Sequence, residues 1–128
     1  MTKPSTPFVA IVDDDTRLLA SLGGLVESTG CSVSLHTSAE SCLQRFAAHA
    51  PDCLISDIGL PGLNGIDLVR RLRGQWPGLR AFLVTARDVP PLREAAIECG
   101  AFCLLSKPFA PSEFLAALQE ALTASRSV

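Results

Sequence analysis

Residues 8–15 read FVAIVDDD, an apolar run of five residues that ends in three consecutive aspartates. A short, continuous apolar run is typical of a strand that is buried on both faces of a sheet. Four further short runs follow along the chain, at residues 32–35, 53–55, 81–84 and 102–105. We therefore expect five strands, with an acidic cluster placed directly after the first.

Stretches with the apolar spacing of amphipathic helices separate these runs. Helices are expected to begin after Ser38, at Gly65, at Pro90 and after Pro111, and to end near Gly30, Gly74 and Gly100. Strict alternation of strand and helix predicts right-handed crossovers and a parallel sheet that is covered by helices on both faces. The sequence therefore predicts a doubly wound α/β fold with five strands and five helices.

The second run differs from the others because SVSLH, at residues 32–36, alternates polar and apolar residues. The other four runs are almost continuously apolar, as buried parallel strands should be. Alternation indicates a strand with an exposed side, so we place the second strand at the edge of the sheet.

The length of 128 residues suits one domain that spans residues 1–128, with flexible ends at residues 1–7 and 124–128. Hydrophobic residues make up 48% of the chain, but no run approaches the roughly 20 apolar residues that a membrane span requires. Residues 1–7 lack the apolar segment of a signal peptide. We expect a cytoplasmic protein without membrane association.

The net charge is −2, and the basic residues are scattered along the chain. A nucleic-acid binder is expected to carry a basic block or stripe. We therefore expect no direct nucleic-acid binding by this segment.

Several other residues are expected to have structural roles. The cysteines lack CxxC spacing and are expected to be reduced and mostly buried, and the pair Cys99 and Cys103 makes a poor zinc site. The remaining expectations are surface positions for His36 and His49, loop packing for Trp76, a solvated helix face for Arg70, Arg71 and Arg73, and turn formation for Gly62 and Gly65.

Polar residues whose side chains can bind ligands or react follow four of the five strands. They are Asp13 and Asp14 after the first, Asp57 after the third, Thr85 after the fourth, and Lys107 after the fifth. Ligands of open parallel sheets bind beyond the carboxyl ends of the strands. We expect these side chains to converge on one rim.

Clustered carboxylates favour a bound cation, because two unit charges about 4 Å apart repel by about 4 kcal/mol at an effective dielectric constant near 20. Oxygen ligands suit Mg²⁺ or Mn²⁺. Thr85 and Lys107 offer donors that suit phosphoryl oxygens. Asp57 is then a candidate nucleophile that forms an acyl phosphate.

The chain resembles the receiver domains of two-component response regulators. The resemblance extends over nearly the whole chain and is carried by four motifs in order: IVDDD at residues 11–15, DIGLPGLNG at residues 57–65, VTA at residues 84–86, and KPF at residues 107–109. Residues 38–40 (SAE) and 88–90 (DVP) further resemble FixJ-type regulators of the LuxR family, which commonly carry a helix-turn-helix domain. This resemblance implies a flavodoxin-like sheet with strand order 2-1-3-4-5.

The resemblance also implies roles for individual residues. Asp57 is phosphorylated by a sensor histidine kinase, Lys107 pairs with the phosphoryl group, and Thr85 bonds to it. Asp14 ligates Mg²⁺ directly, and Asp13 assists through water. The backbone carbonyl of Gly59 is the implied further ligand, Asp15 is peripheral, and Pro108 follows a cis peptide bond.

The chain departs from the family pattern at two positions. Leu104 stands where receivers usually carry Tyr or Phe, and Gly59 stands where many relatives carry a side chain that affects access of water to the phosphoryl group. Receivers are switched through the surface formed by helix 4, strand 5 and helix 5. Thr85 and Leu104 are therefore the expected switch residues, and an effector domain, a downstream protein or a phosphorylation-dependent homodimer is the expected output.

Two other functions compete with this interpretation. A metal-dependent aspartyl phosphatase also carries Asp-x-Asp after its first strand, and Asp13 would then be the nucleophile. The absence of an acidic pair after Lys107 and of a cap domain speaks against such an enzyme. A degenerate receiver that binds partners without phosphorylation is disfavoured by the complete acid set.

Overall fold

Five parallel strands form one sheet in the order β2-β1-β3-β4-β5 in a computed structural model, which describes residues 6–126. The strands are β1 (Phe8–Val12), β2 (Ser32–His36), β3 (Cys53–Asp57), β4 (Arg80–Thr85) and β5 (Leu104–Ser106). The helices between and after them are α1 (Thr16–Glu27), α2 (Ala39–Arg45), α3 (Gly65–Gln75), α4 (Pro90–Glu98) and α5 (Pro111–Arg126). The predicted doubly wound α/β fold, its strand order and the edge position of β2 are confirmed.

Apolar residues on both faces of the sheet account for the continuous apolar runs. Along β1, Ala10 and Val12 face a core shared with α2, α3 and α4, whereas Val9 and Ile11 face a core shared with α1 and α5. All four of these side chains are buried. A central strand of a doubly wound sheet needs apolar side chains in both directions, and the sequence of β1 supplies them.

Helix ends follow the expected local chemistry. The side chain of Asp15 accepts the amides of Arg17 and Leu18 at 3.1 and 3.2 Å, and Ser38 accepts the amide of Ser41 at 3.1 Å. Asn64 caps α3 in the same way. These caps fix where α1, α2 and α3 begin.

Element boundaries differ from the expectations by a few residues, most clearly at two places. The fifth strand begins at Leu104 instead of residue 102, although the amide of Phe102 already donates to the carbonyl of Ala81 at 2.8 Å. Helix α3 passes Gly74 and ends after Gln75. Both differences lie at the ends of elements, where hydrogen bonding changes gradually.

The two ends that are expected to be flexible are described in part. Residues 1–5 and 127–128 lie outside the described residues. The carbonyl of Pro7 accepts the amide of Ser32 at 2.9 Å, and residues 124–126 continue α5. Within the described part of the chain, no helix is long and apolar enough to span a lipid bilayer.

The expectation of a surface position is wrong for His36, which is only 7% exposed. Its ring lies between two hydroxyl groups, with Nε2 2.7 Å from Oγ of Ser34 and Nδ1 2.8 Å from Oγ of Ser41. The end of β2 runs beneath the start of α2, so a side chain there is covered and needs polar partners. His49 is exposed, as expected.

The expectation of a solvated helix face is wrong for Arg73. Its guanidinium donates to the carbonyl of Leu79 and lies against Gly100, because the end of α3 packs over the turn that leads into β4. Trp76 is half-buried, and its indole N–H donates to the carbonyl of Phe46 at 3.3 Å, which confirms a packing role.

The thiols are free, and four of the five are buried. Burial raises the pKa of Cys42 to about 12 and that of Cys103 to about 11. Thiolate formation at these two positions is therefore suppressed at neutral pH.

The buried position of His36 leads to a prediction about pH. Burial, and then the charge of Arg45, hold the pKa of His36 below its ordinary value of 6.5. Between the lowered pKa and 6.5 the unfolded chain binds more protons than the folded one, so stability is fully present above about pH 6.5 and falls as the pH drops. We expect His36→Gln to reduce this fall, as measured by urea denaturation at pH 7.5 and 5.5.

The wild type and His36→Gln share all other titrating groups, so the contributions of those groups to the pH dependence of stability cancel in the comparison. His49→Gln, which removes an exposed histidine, is the matched control. Parallel pH dependence of the free energy of unfolding in the wild type and in His36→Gln would show that His36 does not resist protonation.

Candidate functional site

The register of the sheet brings the polar strand ends to one rim. Val12 of β1 pairs with Ser56 of β3, Asp57 pairs with Val84 of β4, and Thr85 pairs with Ser106 of β5. The residues that follow these strands therefore lie side by side. This rim is where ligands of open parallel sheets bind.

Three carboxylates form a cluster at the rim. One oxygen from each of Asp13, Asp14 and Asp57 lies within 4.8 Å of the others. Asp13 is 1% exposed and Asp57 is 7% exposed, whereas Asp14 is open to solvent. The cluster thus has two buried acids and one acid that is exposed to solvent.

Lys107 supplies the positive charge of the cluster. Its ammonium Nζ lies 3.0 Å from Oδ2 of Asp13 and 3.5 Å from Oδ1 of Asp57. The amide of Lys107 donates to the carbonyl of Thr85 at 2.7 Å, and the peptide bond to Pro108 is cis, as expected. Lys107 therefore reaches across the rim from β5 to the ends of β1 and β3.

Burial and charge act in opposite directions on the buried acid of β3. Burial raises the pKa of Asp57, and the charge of Asp13 adds to this effect, whereas Lys107 and the backbone N–H of Gly59 lower it. The net pKa of Asp57 lies above its ordinary value. Burial opposes the charge on Lys107, but its hydrogen bond to Asp13 and the charge of Asp57 give a net increase in the pKa of Lys107.

The donor set of the cluster fits a hard divalent cation. Carboxylate oxygens are the ligands that Mg²⁺ prefers, and Asp14 leaves the cluster accessible from solvent. An ammonium already neutralises part of the charge on Asp13 and Asp57. The cluster therefore has the chemistry of a site for a divalent cation.

Gly65 does more than form a turn, which corrects the expectation. A Cβ at this position would lie 2.9 Å from the carbonyl carbon of Asp57 and 3.0 Å from Cα of Ile58. The start of α3 therefore packs directly against the backbone of the buried acid. Gly62, with φ of 73°, is a turn former as expected.

Thr85 lies at the rim, but its hydroxyl is bonded to the following loop. Oγ1 donates to the carbonyl of Arg87 at 3.1 Å and accepts the amide of the same residue at 3.0 Å. The Thr85 side chain is thereby tied to the backbone of the loop between β4 and α4.

Sequence reasoning missed an ionic network next to this loop. The carboxylate of Asp88 accepts from the guanidinium of Arg93, with Nε 3.1 Å from Oδ1, and from the hydroxyl of Ser106 at 2.9 Å. The spacing of Asp88 and Arg93, five residues apart across a helix start, gave no recognisable signal. The contact of Asp88 with Ser106 depends on the packing of β5 beside the loop.

Comparison with known proteins decides the family. The profile of the response regulator receiver domain matches residues 9–119, which include the three clustered acids, Thr85 and Lys107. The chain belongs to the response-regulator receiver domain family. As a receiver domain, it acts in phosphorylation-dependent signalling and is not an enzyme in the ordinary sense.

Individual relatives agree with this assignment. The chain is 31% identical over 119 residues to the transcriptional regulatory protein FixJ of Azorhizobium caulinodans, covering 93% of this chain and 56% of that protein. It is 36% identical over 114 residues to the response regulator MprA of Mycobacterium tuberculosis, covering 89% and 50%. The chain spans about half the length of the curated relatives it matches.

A solved structure supports the fold of the receiver domain. The signal receiver domain of an HD domain-containing protein from Pseudomonas fluorescens superposes with a TM-score of 0.91 and 30% sequence identity. The match covers 97% of this chain and all of the other.

The close approach at Gly65 leads to a stability prediction. We expect Gly65→Ala to lower the free energy of unfolding of the receiver domain by about 1–3 kcal/mol, because the added methyl group overpacks the backbone at Asp57. Gly74→Ala, at an exposed position of the same helix with open space around it, is expected to stabilise by up to about 1 kcal/mol. Urea denaturation measures both changes, and equal values for the two variants would contradict the packing argument.

Proposed function

We propose that Asp57 is the phosphoryl acceptor of this receiver domain. The observation that carries the proposal is the position of its carboxylate: buried at the end of a central strand, beside two further acids and 3.5 Å from the ammonium of Lys107. A carboxylate oxygen of Asp57 attacks the phosphorus atom, the bond to the donor imidazole nitrogen breaks, and an acyl phosphate forms. The donor is a phosphohistidine of a sensor kinase.

Neighbouring residues support this transfer through charge and orientation. The ammonium of Lys107 moves from the carboxylate of Asp57 to the oxygens of the new phosphoryl group. Its ion pair with Asp13 is retained. Asp14 and Asp13, together with the carbonyl of Gly59 after β3, would hold Mg²⁺ or Mn²⁺. The cation supplies charge neutralisation for an anionic phosphoryl group that approaches three carboxylates.

The proposed output is a change in the surface formed by α4, β5 and α5. Phosphorylation draws the Thr85 hydroxyl away from Arg87, to which it is bonded here, and the loop before α4 follows. The same surface carries Ile97, which is 68% exposed, beside a groove lined by Ala101 and Leu104. An exposed large apolar side chain next to a groove suits docking of an effector domain, a downstream protein or a second copy.

The FixJ likeness extends this proposal to transcription. FixJ is a transcriptional regulatory protein, and the motifs at residues 38–40 and 88–90 resemble FixJ-type regulators. We infer that the phosphorylated domain controls a helix-turn-helix effector of the LuxR family.

Phosphorylation tests the acceptor directly. We expect acetyl phosphate with Mg²⁺ to add one phosphoryl group, seen by intact-protein mass, and Asp57→Asn to abolish the addition because the nucleophilic oxygen is lost. Asp67→Asn, which removes an exposed carboxylate of α3, is the matched control and keeps the addition. An aspartyl phosphatase would be favoured instead if Asp13→Asn lost phosphorylation, Asp57→Asn kept it, and the protein turned over phosphate esters.

A second measurement tests the switch. We expect Thr85→Ala to accept phosphate but to lose any beryllofluoride-dependent change in self-association or partner binding, because the hydroxyl that senses the phosphoryl group is gone. Leu104→Ala weakens the change by removing the side chain that fills the space beside β5, and Thr85→Ser, which keeps the hydroxyl, preserves it. Sedimentation and a partner titration measure these effects. If beryllofluoride changes self-association or partner binding in the wild type and both alanine variants retain this change in full, transmission through Thr85 and Leu104 is excluded.

A further inference from the structure

We propose that Glu40 of α2 is a positioning residue for the site, because its carboxylate clamps the β3–α3 loop, residues 58–64. This loop leads from Asp57 to α3 and carries Gly59. The inference rests on the proposed function, since it assigns Glu40 a role in holding the loop that completes the metal and phosphoryl site.

The clamp is a contact between distant parts of the chain. Oε2 of Glu40 accepts the amide of Leu63 at 3.2 Å, across 23 positions of sequence. Glu40 lies in the first turn of α2, two residues after the N-cap Ser38. The first turn of a helix favours a negative charge, so the helix stabilises the carboxylate in this position.

Gly62 shows that the carboxylate is seated against the loop backbone. A Cβ at Gly62 would lie 3.0 Å from Oε2 of Glu40, and the φ of 73° at this residue already disfavours a side chain. The loop therefore turns at a glycine where Glu40 approaches it. This turn leaves the amide of the next residue, Leu63, directed at the acid.

The other hydrogen bonds of the loop lie near its ends, and the side chains of Ile58, Leu60 and Leu63 pack in or against the core. The amides of Leu60 and Gly65 both donate to the carbonyl of Ile58, at 2.9 and 3.0 Å, and Asn64 caps α3. Besides Asp57, which contacts the amide of Gly59, Glu40 is a side chain from another element that accepts a backbone amide of this loop. It therefore limits how far the segment between Gly59 and Leu63 can move away from Asp57.

The consequence is a preorganised loop. The N–H of Gly59 contacts Asp57, and the carbonyl of Gly59 is the proposed metal ligand. Without the clamp, the loop samples more conformations, and binding of Mg²⁺ must then order it at a cost in affinity. A net hydrogen-bond contribution of ordinary size corresponds to a change of about threefold to tenfold in a dissociation constant.

Titration calorimetry of the metal-free domain with MgCl₂ tests the clamp at near-physiological ionic strength. We expect Glu40→Ala to weaken Mg²⁺ binding about threefold to tenfold and Glu40→Gln to stay near the wild type, because the amide oxygen still accepts the Leu63 N–H. Asp14→Ala removes a proposed ligand and serves as the reference for lost binding. Glu94→Ala, which removes an exposed acid of α4, is the control for net charge.

Kinetics with acetyl phosphate separate positioning from chemistry. In Glu40→Ala the Mg²⁺ concentration for half-maximal phosphorylation rises by the same factor, while the rate at saturating Mg²⁺ stays near that of the wild type. Amide hydrogen exchange of Leu63 in the metal-free protein is faster in Glu40→Ala and unchanged in Glu40→Gln.

The outcomes distinguish the clamp from the proposed function. Wild-type binding and exchange in Glu40→Ala overturn the clamp while leaving phosphorylation of Asp57 in place. Equal weakening in Glu40→Gln and Glu40→Ala also overturns it, because charge would then act through space. A wild-type protein that neither binds Mg²⁺ nor accepts a phosphoryl group overturns the proposed function and the clamp together.

Discussion

The ion pairs of Lys107 with two covered acids are the interactions on which the rest of the site depends. Asp13 and Asp57 follow adjacent strands, so the fold itself forces two carboxylates together, and a cation must lie between them. That cation comes from β5, two strands beyond β3, and must reach over the end of β4. The register in which Thr85 pairs with Ser106 therefore matters, since a slip of one residue would turn Lys107 to the other face.

Much of this arrangement could be predicted from the sequence because buried parallel strands leave a strong pattern. Continuous apolar runs marked β1, β3 and β4, alternation marked β2 as the edge, and the polar residue after each run located the rim. Carboxyl ends of parallel strands meet at one edge, so strand order and strand ends together place Asp13, Asp57 and Lys107 near one another. The roles of those residues remain proposals that rest on their position and chemistry.

The wrong expectations concern residues whose partners are far away in sequence or belong to the backbone. The pattern around His36 shows a polar residue at a strand end, but its burial depends on how α2 crosses above β2. Helical periodicity predicts that Arg73 faces outward, yet its long side chain reaches the carbonyl of Leu79 in the loop that follows α3. Gly65 looks like a turn former because sequence does not reveal that a helix start packs against the carbonyl of Asp57.

In the proposed switch, Leu104 limits which groups could transmit a signal from the rim. A leucine beside β5 has no hydroxyl with which to stabilise a second, exposed position, so its contribution is limited to repacking. The loop between β4 and α4 instead carries polar contacts on both sides: Thr85 holds the backbone of Arg87, and Asp88 binds Arg93 and Ser106. If Thr85 released Arg87 as proposed, Asp88 would still connect the loop to α4 and β5. In the proposed switch, a movement of the Thr85 hydroxyl would therefore pass through this loop to the start of α4, and the exposed ionic contacts that guide it would be sensitive to salt.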